Sequence, residues 1–309
     1  MGEFPEDSDG LVWREAVLAQ GHTDDVIKRA IAAKRLLRIW PGVYAVASRG
    51  RNIDQLRRLR VIAAVRSCSE PMVASHQSAA LMHHLPLLKP GYAKVHLNTG
   101  RDGGGRIEKR RHLHTGTLSA DDVIRSGRIL VTSIGRTAVD CARAGSFDGG
   151  VVAFDSALRM GANRVVMMTQ LEQIRGSRGV SRALRALDVA DALSESVGES
   201  WSRAQMLACP DLRKPTLQRK FYDSNGRFVA RVDFEWQGRL VAEFDGLMKY
   251  GAGSMLPGQT PNDVVIAEKI REDRLRQLGL EVVRWVWDDL EAGRLPGILR
   301  QAMVRAGLS

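Results

Sequence analysis

The segment 228–245, FVARVDFEWQGRLVAEFD, admits few folds. Phe228, Ala230, Val232, Phe234 and Trp236 are apolar at every second position, with Arg231, Asp233 and Glu235 between them. Gln237-Gly238 interrupts the run, and Leu240, Ala242 and Phe244 resume it, alternating with Glu243 and Asp245. A period of two on both sides of a glycine-bearing turn predicts a β-hairpin with one buried face. With the turn near Gly238, Asp233 falls across from Glu243, and Asp245 follows two residues along on the same face. Like charges placed opposite one another weaken a sheet unless something cationic sits between them. Two readings are open: a solvated polar face, or hard oxygen ligands for a divalent ion such as Mg²⁺.

The neighbouring segments extend this pattern. Val197-Gly198-Glu199-Ser200 opens a helix through Leu207 with Glu199 in its first turn, and a strand follows over 216–222. After the hairpin, a glycine-rich loop (251–258) leads to a charged helix from Asp263 to Leu278. Lys269, Arg271, Arg274 and Arg276 give that helix a basic side. Gly279 stops it, and the apolar run Leu280–Trp287 predicts a strand buried on both faces. The predicted order is helix, three strands, helix, strand.

Three pieces of this region, Arg231-Val232-Asp233-Phe234, Glu243-Phe244-Asp245-Gly246 and EKIREDRLRQLGLEVVRW (268–285), resemble nucleases of the restriction-endonuclease-like, PD-(D/E)XK superfamily. The branch that includes very-short-patch mismatch-repair endonucleases is the most similar, across roughly residues 195–290. The resemblance implies that Asp233 and Glu243 hold Mg²⁺ (or Mn²⁺), which activates water for phosphodiester cleavage. It also implies that Glu199 is an additional helix-borne ligand. The family's lysine two residues after the glutamate is replaced here by Asp245. Lys249, or Lys269 or Arg271 from the next helix, would have to stand in for it.

At the other end, charge is concentrated. The net charge is +11, and between Lys28 and Arg66 eleven Lys and Arg face a single acid, Asp54. Such clustering points to a polyanionic partner. Leu11 to Gln20 reads as a helix ended by Gly21, and Thr23 as the N-cap of a second helix reaching about Lys34, with Asp24 and Asp25 in its first turn. Two strands follow, Leu36–Trp40 and Val43–Val46, around Pro41-Gly42. Helix, turn, basic helix and hairpin make a helix-turn-helix with a wing. Lys28, Arg29, Lys34 and Arg35 on the second helix or at its end, and Arg38, Arg49 and Arg51 on and after the wing, are the candidate DNA contacts. The residues His22-Thr23-Asp24-Asp25-Val26-Ile27 and LLRIWPGVY (36–44) resemble the winged helix of AbiEi-type antitoxins, which implies operator binding.

Between these ends, Asp54 to Arg66 predicts a helix, and SHQSAALMHHLPL (75–87) resembles a segment of the same antitoxin-like proteins. Short strands are expected at 95–98, 112–114 and 129–132, helices at 133–142 and 150–160, and a basic helix from Gln170 to Leu193 with Gly176 and Gly179 as weak points. His76, His83, His84, His112 and His114 have no cysteine or carboxylate at zinc-like spacing, so packed or surface roles suffice for them. Cys68, Cys141 and Cys209 are too few and too scattered for a disulfide framework. No apolar run approaches ~18 residues and the acidic N-terminus is unlike a secretory signal, so no membrane partner and a cytoplasmic location are expected.

The resulting fold class is α/β and α+β: a winged helix-turn-helix over 8–50, an α+β middle region over 51–190 and a restriction-endonuclease-like domain over 191–309. The expected function is DNA binding joined to a Mg²⁺-dependent endonuclease, in phage defence or DNA processing. The alternative is a non-cutting transcriptional regulator of the antitoxin type, with a toxin or a second copy of the chain as partner.

Overall fold

Val12 and Trp13, expected in a helix, are extended in the computed structural model. They form β1 (Val12–Trp13), antiparallel to a later strand, with Val12 opposite Tyr44 and Trp13 opposite Val43. Asp7 fixes this geometry: its carboxylate accepts from Leu11 N at 3.0 Å and from Trp13 Nε1 at 2.8 Å. The helix therefore starts late, as α1 (Arg14–Ala19), followed by α2 (Asp24–Ala32), β2 (Leu36–Trp40) and β3 (Val43–Val46). Thr23 stands at the N-cap of α2, although its side chain makes no capping bond. The three strands form one sheet in the order β1-β3-β2.

The structure describes residues 4–246 and 261–308, the side chains of 261–267 excepted. It resolves into two units, 1–141 and 142–309, whose boundary divides the middle region expected over 51–190. In the first unit α3 (Ile53–Arg66) begins with a capping box between Asn52 and Gln55. Then come β4 (Val73–Ala74), α4 (His76–His83), β5 (Val95–Asn98), β6 (Arg106–Ile107), β7 (Arg111–His114), β8 (Val123–Ser126) and β9 (Ile129–Thr132). These six strands make a mixed sheet in the order β6-β7-β5-β4-β9-β8. One apolar core joins the N-terminal element to this sheet: Leu11, Trp40 and Val43 share it with Leu59 and Ala63 of α3 and with Leu97, Leu113 and Val131. The basic segment is thus mounted on a larger body.

The second unit starts within α5 (Ile134–Ala144) and continues with α6 (Phe147–Arg159), α7 (Arg164–Gln173) and α8 (Val180–Asp188). The single helix expected over 170–193 is broken across Gly176 and Gly179. α6 is buried along most of its length, Asp155 included, and Asp155 accepts from Arg203 Nη2 at 2.6 and 2.7 Å. A pair this deep is tolerated because each charge meets its partner and Asp155 also takes the Asp191 amide.

The remaining elements are α9 (Val197–Leu207), β10 (Thr216–Tyr222), β11 (Phe228–Trp236), β12 (Leu240–Asp245), α10 (Pro261–Gln277), β13 (Glu281–Val286), α11 (Trp287–Glu291) and α12 (Leu295–Arg305). From α9 to β13 this is the order expected from sequence. The four strands pair as β10-β11-β12-β13, antiparallel until β13, which runs parallel to β12. β13 was expected to be buried on both faces, yet only Trp285 in it is fully enclosed, because β13 is the edge of the sheet. Trp285 Nε1 donates to Ser202 Oγ at 2.7 Å, fastening α9 to that edge. No helix among the described residues is long and apolar enough to cross a membrane.

Candidate functional site

The hairpin turns where predicted. Gln237 and Gly238 both take positive φ, 52° and 67°, the pair a tight hairpin turn of the matching twist requires. Strand pairs run Trp236–Leu240, Glu235–Val241 and Phe234–Ala242, and the next step of that register sets Asp233 across from Glu243. There the ladder stops. Instead of a backbone bond, Phe244 N donates to Asp233 Oδ2 at 2.9 Å.

Helix α9 reaches this point because residue 198 is glycine. A Cβ there would lie 1.9 Å from the Phe244 ring, so any side chain would push the helix off β12. Glu199, the next residue, is held by its own helix start: Ser196 Oγ accepts from Glu199 N at 3.1 Å, and Glu199 Oε2 accepts from Glu195 N at 2.8 Å. Glu199 is 8% exposed. Burial lifts its carboxyl above the usual range, against the pull of those hydrogen bonds.

Gln218 of β10 joins the two acids. It sits between Leu217, which pairs with Phe234, and Arg219, which pairs with Val232, and its φ of 54° is rare for a residue with a side chain. Its Nε2 donates to Glu199 Oε2 at 3.1 Å and, at the long limit of 3.5 Å, to Asp233 Oδ1. The Oε1 of the same amide is buried and accepts no hydrogen bond. Asp233 itself is pushed up to about 6, by burial first, then by the charges of Glu199 and Glu243, against the hydrogen bonds from Phe244 and Gln218.

Glu243 has different company. It is also 8% exposed, and Arg271 of α10 grips both its oxygens at 2.5 Å, with Arg284 Nη2 at 3.2 Å. Both arginines continue to Glu268, and Arg284 also reaches Glu272 at 3.5 Å. The pull of these carboxylates outweighs burial and keeps the Arg271 guanidinium firmly charged. Beside this network lies a cleft of about 220 Å³ lined by Glu243, Phe244, Asp245, Gly246, Glu268, Arg271 and Arg284.

The structure thus groups Asp233 with Glu199, and gives Glu243 to two arginines. Asp245 lies at the end of β12 on the cleft wall. No three carboxylates among the described residues bring oxygens within 4.8 Å of one another, as a closed acidic cage would need. Lys249 lies outside the described residues, and Lys269 is exposed on α10. Sequence reasoning missed Gln218 and Arg284. It named Arg271 only as a substitute cation, and nothing in a charged helix pattern singles out the one residue that turns inward.

In the first unit, Lys28, Arg29, Lys34, Arg35 and Arg38 are all exposed. Lys28 meets Asp25 at 3.0 Å, and Arg29 Nε donates to the Asp25 carbonyl at 3.3 Å. Arg49 and Arg51 turn toward the N-terminal segment. Arg49 grips Glu6 at 2.5 and 3.1 Å, whereas Arg51 is half-buried and donates to the carbonyls of Val46 and Gly10. Those two fasten the segment after β3 to the N-terminal residues Glu6 and Gly10, and the exposed part of the predicted basic set narrows to α2, its end and β2.

No protein-family model and no curated protein matches this chain. Among solved structures, the crystal structure of the RV2827C protein from Mycobacterium tuberculosis is similar at 13% identity with a TM-score of 0.41, covering 69% of this chain and 83% of that one. A likeness that slight carries no argument about either unit.

Proposed function

We propose that the chain acts on DNA, with the exposed basic face of α2 and β2 positioning it and the acidic site between α9, β11 and β12 hydrolysing phosphodiesters with Mg²⁺ or Mn²⁺. One arrangement carries the reading: Gln218 Nε2 bridges Glu199 and Asp233 at 3.1 and 3.5 Å, Asp233 faces Glu243 in the hairpin register, and burial first, then these two charges, pushes Asp233 up to about 6. Buried carboxylates perturbed by one another beside a cleft are a feature of catalytic and cation-binding sites. The donor set suits a hard divalent ion, with the carboxylates of Asp233 on a strand and Glu199 at a helix start brought to one Gln218 amide. When bound, the ion would supply charge stabilisation to the phosphate and a more acidic water.

The protein's own groups have separate tasks in this scheme. The Phe244 amide and Gln218 hold the two Asp233 oxygens in place. Glu199, its carboxyl lifted above the usual range by burial, stands beside Asp233 as the group to accept a proton. Arg271 and Arg284 line the cleft with planar donors that match phosphate oxygens. Glu243, held by Arg271 and Arg284, is the third carboxylate that would hold the ion, and Arg271 would then be free to face the phosphate.

A second reading rests on that same contact. If Glu243 keeps both arginines, the site stays closed and the protein is a DNA-binding regulator that does not cut. Supercoiled plasmid incubated with Mg²⁺ or Mn²⁺ separates the two. The nuclease reading expects nicking that Asp233→Ala and Glu243→Ala abolish while DNA affinity persists. Intact plasmid with either metal, together with footprinting of its own promoter, selects the regulator.

A further inference from the structure

Histidines far apart in sequence converge in the first unit. β5 and β7 are parallel neighbours with His96 beside His112 and Asn98 beside His114, so His96, His112 and His114 share a face of the sheet. His76, at the start of α4, is brought onto them by a backbone clamp: Ser75 N donates to the His96 carbonyl at 3.0 Å, and His96 N donates to Ser78 Oγ at 2.8 Å. The His76 ring stacks on that of His114, centroids 3.6 Å apart, and His96 Nδ1 lies 2.9 Å from His114 Nε2.

We infer that His76, His96 and His114 form a transition-metal site, of the Zn²⁺ class, that clips the start of α4 to strands β5 and β7. One nitrogen from each of the three rings lies within 4.8 Å of the other two. Two Zn–N bonds of about 2.0–2.1 Å at the tetrahedral angle place their nitrogens about 3.3 Å apart, close to the spacing of His96 and His114. His76 has to turn its ring from face-on to edge-on, a side-chain rotation. His112 stands beside His114, centroids 3.9 Å apart, outside the group of three.

Two further observations support a ligand role over simple stacking. His76 has a φ of 49°, a backbone cost for a residue with a side chain that is more often met at functional positions than elsewhere. Its Nδ1 lies 3.1 Å from Ser75 Oγ, the kind of hydrogen bond that fixes which nitrogen faces a metal. Lys94 does not occupy the cluster, because its Nζ is bound to the Glu108 carbonyl at 2.7 Å.

An all-imidazole donor set selects Zn²⁺, Co²⁺, Ni²⁺ or Cu²⁺ and discriminates against Mg²⁺, unlike the carboxylates of the second unit. Three protein ligands leave a fourth position for water. The inference does not depend on the nuclease reading, since the residues, the unit and the metal class all differ.

The test uses the untagged full-length chain, stripped with chelator and titrated with Co²⁺ and then Zn²⁺. Expected are one equivalent per chain, the visible bands of tetrahedral Co²⁺, their loss on adding Zn²⁺, and no displacement by excess Mg²⁺. Zn²⁺ at a hundredfold excess over Kd should raise Tm by roughly 5 °C. His96→Gln and His114→Gln, checked for folding by circular dichroism, should weaken binding by roughly 100-fold or more, whereas His84→Gln should leave it unchanged. Absence of a bound equivalent in the natural chain overturns the inference. Binding that survives in the folded His96→Gln/His114→Gln double variant does so equally.

Discussion

Replacing Asp233 with Asn should stabilise the second unit at neutral pH and do so much less in acid. Folding lifts this carboxyl from 3.8 to about 6. At about 1.4 kcal/mol per tenfold change, the ionised group costs the folded state about 3 kcal/mol at pH 7.5. Below pH 3.8 both folded and unfolded chains carry the proton and the cost is absent. Between 3.8 and about 6 the unfolded chain releases its proton first, so stability falls as pH rises through this window. At pH 4.5 the same arithmetic leaves about 1 kcal/mol. Asn keeps an oxygen for the Phe244 amide but turns an NH₂ toward Gln218 Nε2, offsetting about 1 kcal/mol at either pH. The net gain is then about 2 kcal/mol at pH 7.5 and near zero at pH 4.5. Urea unfolding measures it, followed by tryptophan fluorescence, to which Trp201, Trp236, Trp285 and Trp287 contribute from the second unit. Equal effects at the two pH values, or a loss at pH 7.5, would refute the claim that Asp233 is held ionised against its surroundings.

Two further outcomes follow from the geometry. Gly198→Ala places a methyl within the Phe244 ring and should cost about 1–3 kcal/mol, read by the same unfolding curve, with any metal response of the acidic site weakened in parallel. Substituting both Lys28 and Arg29 with Ala should flatten the slope of log K against log salt by about 1–2 in a DNA-binding titration, because each phosphate contact contributes about 0.9, and should leave thermal stability unchanged.

Much of the second unit was legible in the chain. Strict alternation from Phe228 to Phe244 carries its own register, so the facing positions of Asp233 and Glu243 follow from the residue pattern alone. Glu199 was legible for a similar reason, since Ser196 caps the helix three residues before it. What could not be read was the company each acid keeps. Arg271 lies 28 residues from Glu243, and one helix among several arginines gives no local sign of which will turn inward. The chain's start misled because Leu11–Trp13 has helix-compatible apolar spacing, and only tertiary pairing with Val43 and Tyr44 makes it extended. His96 escaped notice for the same reason as Arg271. A lone histidine in a short strand acquires neighbours only when β5 and β7 pair in parallel.

Mn²⁺ titration followed by electron paramagnetic resonance bears most directly on the acidic site. One equivalent of Mn²⁺ should lose its free-ion signal in the natural chain and in His96→Gln, and remain free in Asp233→Asn. Mn²⁺ that stays free with the natural chain at millimolar concentration, or is held equally well without the Asp233 charge, would contradict a cation site between α9, β11 and β12.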